Sequence, residues 1–246
     1  MRENPNKLIV ALDVDDIGKA RELFKSLNGV AGMFKVGMQL FTAVGPSIVR
    51  EIVASGNRVF LDLKYHDIPN TVAGAGIEAA RLGVSLFNVH ASGGGEMMKR
   101  AAEAVAEVSE REGLRRPKII AVTLLTSADA EVLKEIGINN NSTSQVSKLA
   151  ELASKSGLDG VVASPLEVAE IRRAVGNPEF LIVTPGVRPL AAAANDQRRI
   201  MTPSDAILAG SNYIVVGRPI IESPDPVAAA RAILSEIVGN EAGQPV

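Results

Sequence analysis

Short apolar runs rich in Val and Ile punctuate the chain: KLIVALD (7–13), MFKVG (33–37), RVFLDLK (58–64), SLFNVH (85–90), KIIAVTLL (118–125), GVVAS (160–164), FLIVTPG (180–186) and YIVVGR (213–218). Each is short and β-branched, and together they predict eight strands. The segments between them carry the helical spacing instead. Ile17, Ala20, Leu23, Phe24 and Leu27 form one apolar face behind Asp15 and Asp16, residues that suit a helix start. The same period runs through 44–56, 70–83, 96–112, 142–157, 164–176 and 224–237. Strands alternating with helices predict a parallel sheet with crossover connections. Eight such units in 246 residues favour a closed (β/α)₈ TIM barrel over an open sheet. No linker or repeat divides the chain, so it reads as one α/β domain spanning 1–246, with short flexible tails at about 1–6 and 239–246.

A barrel places its chemistry at the C-terminal ends of its strands. Those ends read Asp13, Lys35, Asp62 with Lys64, His90 with Ser92, Thr123 with Thr126, Ser164, Arg188 and Arg218. The third strand stands out because Asp62 and Lys64 interrupt an apolar run. Alternation puts Phe60, Asp62 and Lys64 on one face. Buried charges are costly unless paired. Lys35, on the neighbouring strand, is the partner expected for Asp62. A Lys-Asp-Lys network could simply fasten two strands, but its place at the catalytic end favours function.

The loops after strands 7 and 8 read TPGVRP (184–189) and VGRP (216–219). In barrels these loops commonly bind phosphate, and a Gly-Arg pair in each offers backbone N–H groups and a guanidinium. The connection at 190–200 is small and polar and is expected to act as a lid, with Gln197 as a ligand contact. SGGGE (92–96) and GAG (74–76) lack the spacing of a dinucleotide site.

Composition narrows the classes. Lys and Arg number 26 against 28 Asp and Glu, a net charge of -2, which leaves no footprint for nucleic acid and none for an anionic membrane surface. The absence of cysteine excludes disulfides, thiolate metal sites and thiol nucleophiles. The two histidines, His66 and His90, form no metal-ligand motif, and Lys64 between Asp62 and Asp67 would repel a dication. No metal is expected. The N-terminal residues lack a signal-peptide pattern and no apolar run is long enough to span a bilayer, so a cytoplasmic location is expected.

DLKYHDIPNT (62–71), with ALD at 11–13, KVG at 35–37, HASGG at 90–94, TLLTS at 123–127, TPGVRP at 184–189, DQRR at 196–199 and VGRPI at 216–220, resembles the orotidine 5′-phosphate decarboxylase family in its bacterial form. The matches are in order and cover nearly the whole chain. The resemblance implies decarboxylation of orotidine 5′-phosphate to UMP without cofactor. It implies that Lys35, Asp62, Lys64 and Asp67 form an alternating charge network, with Lys64 stabilising and protonating a C6 carbanion. It further implies a homodimer in which Asp67 and Thr71 enter the partner's site. Asp13 and Lys35 would hold ribose hydroxyls, Thr126 would lie against the pyrimidine, and Arg188, Gln197, Gly217 and Arg218 would bind phosphate. The alternatives are a Mg²⁺-dependent sugar-phosphate decarboxylase or aldolase of the same barrel superfamily, and a non-catalytic sensor of a phosphate ligand.

Overall fold

A computed structural model describes residues 6–189 and 201–241. Eight strands, β1 (Leu8–Ala11), β2 (Met33–Gly37), β3 (Val59–Tyr65), β4 (Leu86–His90), β5 (Lys118–Val122), β6 (Gly160–Val162), β7 (Leu181–Pro185) and β8 (Tyr213–Val216), close into a barrel in sequence order. Every neighbouring pair is parallel, and β1 returns to pair with β8 through Ile9↔Val215. The helices are α1 (Ile17–Ser26), α2 (Met38–Val44), α3 (Ser47–Ala54), α4 (Pro69–Arg81), α5 (Gly95–Glu112), α6 (Ala130–Glu135), α7 (Ser142–Lys155), α8 (Val168–Val175), α9 (Pro203–Leu208), α10 (Arg218–Ile221) and α11 (Pro226–Glu241). The (β/α)₈ TIM barrel read from the sequence is the observed fold.

Strand alternation builds two cores from the same eight runs. Ile9, Ala11, Met33, Phe60, Leu86, Ile120, Val183 and Val215 point inward and fill the barrel as one cluster. Their neighbours, among them Leu8, Val10, Phe34, Val36, Leu61, Phe87, Ile182 and Ile214, point outward and pack against the buried helix faces. Helix starts follow their capping chemistry: Asp16 accepts the Lys19 N–H at 2.7 Å and Asn141 that of Ser144 at 2.8 Å.

Four short helices were not foreshadowed. α2 and α6 each bury a single residue, Leu40 and Leu133, so neither leaves a periodic stripe. α9 lies in the long connection before β8, started by Thr202 and Pro203. α10 is a single turn entered from Gly217. At the ends, Asn6 accepts the Leu8 N–H at 3.1 Å and α11 continues to Glu241; the remainder of both tails lies outside the described residues.

Candidate active site

The inward positions next above the apolar cluster carry the charges. Ala11 pairs with Lys35 and Gly37 with Asp62, which brings the end of β1 and the ends of β2 and β3 side by side. The Lys35 Nζ stands 2.8 Å from Asp13 Oδ1 and 3.3 Å from Asp62 Oδ2. The Lys64 Nζ stands 2.7 Å from Asp62 Oδ1. Gly37 makes room for this chain of charges. A Cβ there would stand 3.0 Å from Lys35 Nζ and 3.1 Å from Asp13 Oδ1.

Lys64 does not reach Asp62 by simple alternation. Its φ is 52°, so it is the one non-glycine residue among those described with a left-handed backbone. The pairing of β3 with β4 slips here: Leu61 faces Phe87, yet Tyr65 faces Val89. The strained residue costs about 1–3 kcal/mol. The backbone N–H of Lys64 is taken up at 2.8 Å by Oδ1 of Asn88, whose Nδ2 donates to Asp62 Oδ1 at 2.7 Å. Sequence reading missed Asn88. Its one signal was a polar residue inside the apolar run LFNVH.

Burial pushes the Asp62 carboxyl up, but the Lys35 and Lys64 ammoniums, with hydrogen bonds from Lys64 and Asn88, outweigh it and hold the group below the ordinary aspartate value. Asp62 is thus a buried carboxylate that stays ionised.

These charges line a cavity of about 1160 Å³ that opens at the C-terminal end of the barrel. Gly186, Arg188, Gly217 and Arg218, after β7 and β8 and so beside β1, line the same cavity, and Thr126, Ser127 and Ser164 complete its rim. Among the described residues neither Arg188 nor Arg218 is ion-paired. A narrower apolar recess of about 220 Å³ continues inward past Lys64, between Phe60, Val122, Leu124, Val162 and Val215. Charge is therefore concentrated at the ends of β1 to β3, an apolar recess adjoins it, and two guanidinium groups without ion pairs line the same cavity from the ends of β7 and β8, next to β1.

Asp13, Lys35, Asp62, Lys64, Thr126, Arg188, Gly217 and Arg218 all line this one cavity. Asp67 and Thr71 do not. Both are exposed on the turn into α4, where Asp67 Oδ1 accepts the Ile68 N–H at 2.6 Å. Gln197 and the 190–200 segment lie outside the described residues. Ser164 serves as the cap of a short turn at Pro165–Glu167, and its backbone N–H donates to Glu167. His66 and His90 pack ring against ring, with centroids 5.5 Å apart. Burial first, then His66 and Lys64, lower His90 below the ordinary histidine value against the pull of Asp62. Among the described residues no three His, Asp or Glu side chains converge as metal donors.

A model of the orotidine 5′-phosphate decarboxylase / HUMPS family matches residues 6–233. The chain belongs to this family. A relative named orotidine 5′-phosphate decarboxylase in Geotalea daltonii is 56% identical over 234 residues, covering 95% of this chain and 97% of that one. A relative of the same name in Moorella thermoacetica is 55% identical, over 94% of this chain and 92% of its own. Among solved structures, the orotidine 5′-phosphate decarboxylase of Lactobacillus acidophilus superposes with a TM-score of 0.83 at 40% identity, covering 94% of this chain and 99% of that one. The family match runs through β1 to β8 and so includes every described residue of the cavity.

Proposed function

We propose that the chain decarboxylates orotidine 5′-phosphate to UMP, the last step of de novo pyrimidine synthesis, as a cytoplasmic homodimer that needs no metal or organic cofactor. The observation that carries the reading is the Lys35–Asp62–Lys64 network, which shares one cavity with two arginines that make no ion pair. An anionic nucleotide fits that division: Arg188, Arg218 and the Gly217 backbone for phosphate, with Gln197 joining them, Asp13 and Lys35 for ribose hydroxyls, and Thr126 beside the base.

Loss of CO₂ breaks the bond between C6 and the carboxylate carbon and leaves the electron pair on C6. That vinylic carbanion is poorly delocalised. The Lys64 ammonium, already oriented by Asp62, stabilises the developing charge and then donates its proton to C6. Asp62 disfavours the substrate carboxylate relative to the transition state, in which that charge departs. Phosphate contacts far from C6 supply binding energy that serves the chemical step.

Oδ1 of Asp62 already accepts from Lys64 and Asn88, and its Oδ2 is ion-paired with Lys35. A dication at this carboxylate would have to displace ammonium groups, which supports chemistry without Mg²⁺. Asp67 and Thr71 flank Ile68, which is 67% exposed. Asp67 and Thr71 are exposed and stand outside the cavity of their own chain, which suits a part in completing the partner's site.

An ultraviolet assay of orotidine 5′-phosphate loss tests the reading directly. Turnover in excess EDTA is expected for the wild type. Lys64→Ala is expected to lose nearly all of it while still binding UMP. Activity that appears only with added Mg²⁺ would move the chain to the sugar-phosphate branch of the family.

A further inference from the structure

Asn88 is fully buried on β4, in a strand whose neighbours Leu86, Phe87 and Val89 are apolar. A side chain amide is expensive there unless its donors and acceptors are used. Its hydrogen bonds go to the charged site. Oδ1 accepts the Lys64 backbone N–H at 2.8 Å, and Nδ2 donates to Asp62 Oδ1 at 2.7 Å. The amide orientation follows from the partners, since an N–H can only donate and an ionised carboxylate can only accept.

The two contacts fall where β3 departs from regular pairing. Four steps along β3, from Leu61 to Tyr65, run past the two steps from Phe87 to Val89, and Lys64 occupies the left-handed region within that slip. The regular ladder therefore does not hold the Lys64 backbone. The Asn88 carbonyl does. The same amide holds the carboxylate that orients the Lys64 ammonium, so one side chain holds Lys64 at both ends: directly at its backbone and through Asp62 at its Nζ.

We infer that Asn88 is a positioning residue for the reaction, fixing the Lys64 ammonium by holding its left-handed backbone and the Asp62 carboxylate together. This rests on the decarboxylase reading for its catalytic consequence, though the geometric part stands without it. Asn88 lines neither cavity, so it acts through its neighbours rather than on substrate.

Three variants test the inference. Asn88→Leu keeps the volume and removes both hydrogen bonds. Asn88→Asp keeps an acceptor for the Lys64 N–H but sets a second carboxylate against Asp62. Asn212→Leu removes the acceptor of the Ile182 N–H (2.8 Å) and of Arg172 (2.6 Å) where the chain enters β8, outside the cavity, and serves as a purely structural comparator. For Asn88→Leu, kcat per folded molecule is expected to fall about a hundredfold, the scale of a small misplacement of a catalytic group, with UMP affinity unchanged. Asn212→Leu is expected to lower Tm and leave kcat alone. In Asn88→Asp the acid limb of kcat/KM is expected to move to higher pH, because adjacent carboxylates raise each other; Lys35, Lys64, Asp13 and His90 are the other titratable groups around Asp62 and are unaltered.

An Asn88→Leu enzyme with wild-type kcat, or one whose loss matches only its unfolded fraction, overturns the inference. If that variant does not fold, the acid limb of Asn88→Asp decides alone, and an unmoved limb overturns it. A carbon NMR titration of the Asp62 carboxyl separates this failure from failure of the substrate reading. Its midpoint should rise in Asn88→Leu even if the wild type proves inactive on orotidine 5′-phosphate, and an unchanged midpoint counts against Asn88.

Discussion

Asp62 is ion-paired with both Lys35 and Lys64, and removing its charge leaves two ammonium groups beside each other in a buried wall. Asp62→Asn should therefore destabilise the fold by about 3–5 kcal/mol, the usual result of breaking one side of a buried pair, and urea unfolding reads it. The pH dependence has a definite sign. A carboxyl whose folded value lies below its unfolded one contributes fully above the unfolded value, near pH 3.9, and loses that contribution as pH falls through the folded value. His90 is lowered as well, so its neutral form contributes fully above about pH 6.5 and its contribution shrinks in more acid solution. The urea midpoint should decline below that pH, and His90→Gln should flatten the decline. At this scale the charges could be read from sequence because an apolar strand makes Asp62 and Lys64 conspicuous. The left-handed turn of Lys64 could not, since nothing in RVFLDLK marks a backbone that leaves the β region or names Asn88 on β4 as the acceptor of its N–H.

The eight strands could be read because each is buried on both faces and so appears as a continuous apolar run. α2 and α6 could not, for the opposite reason: each turns only one buried side chain inward. Close backbone approach also left no trace. Gly160 opens β6, and a Cβ there would lie 2.2 Å from the Leu181 carbonyl oxygen on β7. That neighbour is backbone and cannot rotate away, so the two strands would have to part. Gly160→Ala should cost about 1–3 kcal/mol, as overpacking does, with each kcal/mol lowering Tm by about 2–4 °C in calorimetry. At Gly37 the obstacle would be the Lys35–Asp13 pair itself. Gly37→Ala should accordingly reduce turnover more than it reduces Tm, measured side by side.

Across the whole molecule the site divides between what one barrel holds and what it does not. Lys64 lines the cavity of its own chain, whereas Asp67 and Thr71 are exposed and do not line it. If they complete the partner's site, Lys64→Ala and Asp67→Ala should each be inactive alone. Mixed and re-equilibrated, the two variants should recover about a quarter of wild-type activity, because half the dimers then hold one intact site of two. No recovery in a mixture shown to exchange subunits would place Asp67 outside the reaction. The barrel also sorts its charges by depth. Asp13 at the rim is half exposed, while the side chains of Lys35 and Asp62 below it are about one-tenth exposed, over a floor of Phe60, Ile120 and Val215. Dissolved salt reaches the first environment and hardly the second. Ionic strength should therefore slow the capture of a polyanionic substrate by the open guanidinium wall, lowering kcat/KM, while kcat, set among charges that mobile ions cannot approach, stays level.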